Sequence, residues 1–159
     1  MKDLNPYLPE SAVIEGFRSE TSDTKTFKVV PEDKKSKLFD YMPGQFMEVS
    51  LPGVGECPIS ITSSPTKKGF IEFCIKNLGK VTSVIHDLGE GDEVWVRGPC
   101  GNSFLDKGLK GKDVVFVAGG IGLAPLRSVI NYLLDNRKDY GKIFILYGAR
   151  NPSEIIFPD

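Results

Sequence analysis

Histidine and tryptophan each occur once in this chain of 159 residues, and cysteine three times. Cys57, Cys74 and Cys100 lie far apart and form no C-x-x-C pair, so they ligate a metal only if the fold gathers them. No metal site is expected on that pattern. An odd cysteine count argues against a disulfide framework. The opening MKDLNPYLPE holds no apolar signal core. Together these features point to a reducing, cytoplasmic setting. No apolar run exceeds the length of a strand, so no segment is expected to span a membrane. Neither sign of charge dominates: 20 Lys and Arg stand against 21 Asp and Glu, for a net charge of -1. That balance gives no electrostatic footprint for nucleic acid or an anionic membrane surface.

What is present divides by texture. From residue 1 to about 110 the chain alternates in short runs rich in Val, Ile, Phe and Thr: SAVIEGFRSE, TKTFKVVPE, GQFMEVSLP, CPISITSS, GFIEFCIKN and DEVWVRGP. Gly, Pro, Asp and Lys separate them. Short strands at near-regular spacing predict an antiparallel sandwich or small barrel. One helix is expected within it, over KVTSVIHDLGEGD, where Val81, Val84, Ile85 and Leu88 share a face and Gly89 ends it. The EDKKSK run, Glu32 to Lys37, reads as a solvated hairpin loop. Trp95, in a strand, is expected in the core, and His86, on the short helix, in a packing or surface role.

From residue 111 to 159 the pattern changes. DVVFVAGG is a continuous apolar run, as in a strand buried on both faces. LAPLRSVINYLLDNRKDYG places Leu126, Val129, Ile130, Leu133 and Leu134 at helical spacing. KIFILYGAR is a second apolar strand. Strand, helix and strand in this order predict a βαβ unit with a parallel pair. A unit this short has little core of its own, and NPSEIIFPD falls where a further helix is expected. The domain therefore reads as the truncated first part of a larger one.

The loop between the first of these strands and its helix is AGGIGLAP. Gly119, Gly120 and Gly122 let the backbone turn tightly and approach a ligand, and the helix N-terminus behind them suits a pyrophosphate. A strand before and a helix after is the context that gives a glycine motif weight. The loop departs from G-x-G-x-x-G, because Pro125 occupies the third glycine position. The second strand ends in Tyr147-Gly148-Ala149-Arg150 instead of an acidic ribose partner. A turn serving only tight packing is the plain alternative.

PGQFMEV, CPISITSSP, LGKVTSVIHDLGEGDEVWVRGPCG, VAGGIGLAPLRS and LYGAR, in this order, resemble the ferredoxin–NADP reductase superfamily. Within it the resemblance is strongest to the sulfhydrogenase gamma subunit type and the electron-transfer subunit type of dihydroorotate dehydrogenase. It implies an antiparallel β-barrel flavin-binding domain followed by a truncated α/β, Rossmann-like NAD(P)-binding domain. The family's Arg-x-Tyr-Ser motif becomes Cys57-Pro58-Ile59-Ser60. Ser60 then matches the serine near flavin N5 and is the expected catalytic residue. Cys57 replaces the arginine of the pyrophosphate, and Ile59 the tyrosine that lies against the flavin. A positive charge must come from elsewhere, with Lys76 or Lys80 the candidates. Ser63 matches a further family hydroxyl, and Ile75 counts with the flavin residues. Gly79, Lys80, Val81 and Thr82 match the second flavin motif, whose amides and threonine hydroxyl cap the helix and hold the pyrophosphate. Gly98 to Gly101 match a structural turn. Gly119, Gly120, Gly122, Leu123, Ala124 and Pro125 match the nicotinamide loop, and Arg150 is placed for a 2′-phosphate or as a surface residue.

The implied activity is that of an oxidoreductase subunit. It would pass electrons between NAD(P)H and iron–sulfur partners, of hydrogenase type or other redox subunits, through FAD in preference to FMN. The family's [2Fe–2S] cysteine cluster is not in this sequence, which assigns such a centre to partners or to a missing C-terminal segment. Cys57 and Ile59 keep open a different class: a non-catalytic docking module that has lost flavin binding. A stand-alone flavin reductase is the third reading.

Overall fold

The computed structural model describes residues 7–33, 36, 39–105 and 107–158. Six antiparallel strands follow the expected runs: β1 (Glu10–Ser19), β2 (Thr24–Pro31), β3 (Phe46–Leu51), β4 (Gly55–Ser60), β5 (Ile71–Lys76) and β6 (Glu93–Cys100). The helix α1 (Lys80–Asp87) lies between the last two. The sheet order is β4-β3-β6-β1-β2-β5. Its two edges approach each other where Ile61, just past β4, bridges Phe73 of β5 and the Thr62 amide donates to the Glu72 carbonyl. This closure makes the sheet a barrel, because a rolled sheet removes its own edges. Strict alternation fills the inside: Met47, Val49 and Leu51 point inward from β3, and Val94 and Val96 from β6. Phe27 and Phe73 sit opposite each other on β2 and β5, both 1% exposed. Ile85 of α1 closes one end of the same core.

The second unit is β7 (Val114–Gly119), α2 (Leu123–Asp135) and β8 (Ile143–Gly148), with β7 and β8 parallel and in register from Val114↔Ile143 to Gly119↔Gly148. Leu123, Ala124, Val129, Ile130 and Leu133 of α2 pack with Val114 and Phe116. Here the expectation of strands buried on both faces is corrected. Val115 and Val117 are 57% and 71% exposed, as are Phe144 and Leu146 at 47% and 59%. α2 covers one side of this two-stranded sheet, and no other described element covers the opposite side. Leu134, expected on the buried stripe, is also exposed, at 51%. Trp95 is corrected too. It alternates with Val94 and Val96, so it lies half-buried on the outer face of the barrel and outside the core. Of the Glu32–Lys37 run, Lys34, Lys35 and Lys37 lie outside the described residues, so the loop reading is not addressed there.

The two units share a wall. β5 alternates inward Ile71, Phe73 and Ile75 with Cys74, which is 6% exposed and packs with α2 and β7. Beside it the side chain of Glu20 is 1% exposed. It accepts hydrogen bonds from Arg18, from Thr26 Oγ1 at 2.7 Å and from the Phe157 amide at 3.0 Å. Burial alone pushes the Glu20 carboxyl up. The bonds from Thr26, Arg18 and the Phe157 amide outweigh it and hold the group below the ordinary 4.5. A carboxyl depressed by the fold stabilises it above the unfolded value, and that contribution disappears as pH falls through the folded value. Glu20→Gln is therefore expected to cost about 1–3 kcal/mol at pH 7. It should also flatten the acid loss of stability below pH 4.5, as read from urea melts across that range.

Candidate active site

A cleft of about 350 Å³ opens between the barrel and the start of α2. Its barrel side is β4 with Cys57, Pro58, Ile59 and Ser60, then Ile75 and Lys76 at the end of β5, then Leu78 and Thr82 at the start of α1. Its other side is Ile121, Gly122, Ala124 and Pro125. Two motifs some sixty residues apart in the chain thus face one volume. A larger open hollow of about 680 Å³ lies over Trp95 and the β3–β4 hairpin, and none of the expected site residues lines it.

β4 can face a ligand because it is an edge strand, paired to β3 alone from Phe46↔Ser60 to Leu51↔Gly55. Pro58 costs this strand no ladder bond on its open side. The Ser60 hydroxyl has no hydrogen-bond partner among the described residues, which leaves it available to a ligand. Lys76 is half-buried at the rim and pairs with Asp23 at 3.0 Å. An ammonium carries three donors, so this pair leaves Lys76 others to offer. Lys80 is exposed outside the cleft wall. Gly79 and Val81 likewise do not line it.

Thr82 serves the turn. Its Oγ1 accepts from the Leu78 and Gly79 amides at 3.0 and 2.9 Å and donates to the Gly79 carbonyl. The hydroxyl expected on a phosphate is engaged with backbone, and the amides of the first turn are the groups left to meet an anion. No acidic residue stands in that turn to oppose one. Cys57 brings no cation. Burial, then Glu48 and Glu56, push its thiol up. Glu56 is itself held by Arg97 through bonds of 2.6 and 3.0 Å.

On the opposite wall, Gly120 has φ +51, a conformation glycine adopts without strain. A Cβ on Gly120 or Gly122 would meet nothing within 4 Å, so the turn leaves open space in front of it. A 3-10 turn over Gly120–Gly122 leads into α2, whose first turn also carries no acid. Gly119, Gly120 and Leu123 shape this loop from behind the lining. Arg150 lies outside the cleft, 78% exposed on its side chain and paired with Glu154. Ser63 is also outside it. Its hydroxyl bonds Tyr41 at 2.7 Å and accepts from the Glu72 amide at 3.1 Å. His86 packs beneath the wall, its Nε2 2.8 Å from the Ile75 carbonyl and its ring edge-on to Phe27.

Cys74, Leu78 and Ile121 line the cleft and were not singled out in sequence. A signal for Cys74 was there: apolar residues at three successive positions, Phe73 to Ile75, mark a strand buried on both faces. Leu78 and Ile121 adjoin residues that were chosen.

Residues 12–104 match the oxidoreductase FAD-binding domain family, and residues 116–159 match the oxidoreductase NAD-binding domain. The chain belongs to the FAD-binding oxidoreductase family. The sulfhydrogenase 1 subunit gamma of Pyrococcus furiosus is 44% identical over 158 residues, which cover 99% of this chain and 54% of the relative. A protein of the same organism described as "Probable dihydroorotate dehydrogenase B (NAD(+)), electron transfer subunit" is 37% identical over 123 residues, 77% of this chain and 44% of the relative. The chain thus spans about half the length of the curated relatives it matches. Among solved structures, a phthalate dioxygenase reductase superposes with a TM-score of 0.80 at 23% identity, covering 94% of this chain and 46% of that one. The ferredoxin-NADP+ reductase of Plasmodium falciparum gives 0.76 at 21%, covering 94% and 62%. These two share the fold, and the superfamily resemblance read from the motifs agrees with it. No helix among the described residues is long and apolar enough to cross a membrane.

The cleft fits a flavin in the chemistry of its donors. It combines an edge strand with a free hydroxyl, flat apolar flanks in Pro58, Ile59 and Ile75, a lysine and a helix start whose first turn holds no acidic residue. Its volume lies at the lower end of small-molecule sites, about 300–1,000 Å³, as suits a ring system whose tail runs out along the surface. The three cysteines are free. Burial raises the Cys74 thiol to about 12, with only partial relief from a hydrogen bond to Thr26. Cys74 is therefore expected to resist thiol reagents at pH 8 in the folded chain and to react once the chain is unfolded, as counted by thiol titration with and without denaturant.

Proposed function

We propose that this chain is the flavin-binding part of a cytoplasmic oxidoreductase subunit that exchanges electrons between NAD(P)H and iron–sulfur partner subunits, of hydrogenase type or related. The observation that carries the reading is the single cleft shared by Cys57–Ser60, Lys76 and Thr82 on one wall and Ile121, Gly122, Ala124 and Pro125 on the other. Residues 1–110 form the FAD domain in this reading, and 111–159 the beginning of the NAD(P) domain. The family match and the electron-transfer relatives support it, as do three unpaired cysteines, which suit a reducing compartment.

Each wall has its own task. Ser60, with its uncommitted hydroxyl, donates or accepts a hydrogen bond at the reactive edge of the ring. Pro58, Ile59 and Ile75 exclude water from the ring's flank. The amides at the start of α1 and the Lys76 ammonium hold the pyrophosphate in place of the missing arginine. Gly120 and Gly122 admit the nicotinamide nucleotide close to the backbone, and Pro125 and Ala124 limit how near it comes. A bound flavin supplies two-electron exchange with a nicotinamide and one-electron exchange with a metal centre.

An absorption spectrum of the purified chain with FAD, before and after anaerobic NADH or NADPH, tests this. Flavin bands that bleach with one nucleotide are the expected result. A chain that retains neither FAD nor FMN would instead favour the docking-module reading. Ser60→Ala is expected to slow bleaching about 10- to 100-fold, the scale of one lost hydrogen bond to a charged or polar centre, with FAD affinity little changed.

A further inference from the structure

Four polar residues outside the cleft lining are buried together where the barrel meets α2. Thr62, Ser63 and Ser64 follow β4 directly and are 0%, 2% and 1% exposed, and Ser128 in α2 is 0% exposed. Hydroxyls are removed from water at a cost unless they are bonded. Here Ser128 Oγ donates to the Ser63 carbonyl at 2.7 Å. The Ser63 hydroxyl bonds Tyr41, and the Thr62 hydroxyl donates to the Glu72 carbonyl at 3.0 Å. On the preceding residue of α2, Arg127 Nη1 meets Glu72 Oε2 at 2.6 Å. At the far end of the helix Thr66 bonds Asp135.

The position of this bond matters. Ser63 lies three residues beyond Ser60 on one wall of the cleft, and Ser128 lies three residues beyond Pro125 on the other. The geometry points to Ser128 as a positioning residue: its bond to the Ser63 carbonyl latches the start of α2 to the strand end carrying Ser60 and so sets the gap across the cleft. Ser63 presents its carbonyl to the helix because its own hydroxyl is held on the other side by Tyr41 and the Glu72 amide. The Arg127–Glu72 pair prevents α2 from turning about that single point. The consequence for hydride transfer rests on the flavin reading. The mechanical consequence does not.

The test compares the wild-type chain with Ser128→Ala and Ser128→Thr by amide hydrogen exchange and by anaerobic reduction of added FAD with NADH and NADPH. Ala is the better helix former, so faster exchange in α2 cannot come from propensity. In Ser128→Ala, exchange at Arg127–Asn131 and at the Thr62 amide is expected to rise about tenfold, the scale of one buried hydrogen bond, while β2 is unchanged. Thr keeps the hydroxyl and is expected to restore protection at both walls. With FAD bound, Ser128→Ala should slow reduction at saturating nucleotide and leave the FAD dissociation constant nearly as it was. Unchanged exchange, equal acceleration throughout the barrel, or no rescue by Thr would overturn the latch. Should the wild type not be reduced by either nucleotide, the flavin reading fails, and the exchange data alone decide the latch. If the alanine variant does not fold, Ser128→Cys makes the same comparison with a much weaker donor of similar shape.

Discussion

The burial of β5 on both faces is the constraint on which the rest of this structure depends. A barrel strand normally hides one face and wets the other. Here Phe73 and Ile75 fill the barrel while Cys74, between them, packs against α2 and β7. That arrangement turns a barrel wall into a shared wall, and it places the end of the strand, at Lys76, beside the glycine loop. It also explains why Thr24 and Thr26, on the outward side of the neighbouring β2, are buried at 2% and 5% exposure. Threonine bonds its own surroundings in such a place. Thr26 does so through Glu20, which in turn holds the Phe157 amide.

The same wall accounts for the polar seam at the domain junction. Interfaces between units of one chain are joined by a mixture of apolar contact and fixed hydrogen bonds. Leu123, Ala124 and Cys74 provide the first, and Ser128, Arg127 and Asp135 the second. An apolar seam alone permits sliding, because hydrophobic contact has no preferred direction. The hydroxyl-to-carbonyl bond does have one. The cleft walls consequently belong to separate motifs and are held at one spacing.

Much of this was legible from residues alone. Six alternating runs gave six strands because the alternation is a direct record of which face is wet. The α1 stripe of Val81, Val84, Ile85 and Leu88 was readable for the same reason at helical spacing. GGIGLAP announced its turn, since Gly120 takes a positive φ. Other features were not readable. The apolar run of β7 resembles any strand covered twice, yet Val115 and Val117 are exposed, because coverage depends on elements a strand's own letters do not describe. Trp95 is large and apolar and still faces outward, since its parity along β6, and not its hydrophobicity, assigns the face. Ser63 carries the same hydroxyl as Ser60. Only the closing bridge at Ile61 decides that Ser60 remains on the cleft edge while Ser63 turns into the interface.

The sequence by itself determined the element types, the order of a barrel followed by a βαβ unit, and the family, because periodicity and turn chemistry are local. The tertiary structure alone decided which hydroxyls are free. Thr82 is engaged by the turn it caps, Ser63 by Tyr41, and Ser60 by no described residue. A hydrogen bond is a matter of a few tenths of an ångström and a direction. Such distances between residues far apart in the chain exist only once the barrel has closed and α2 has docked against it.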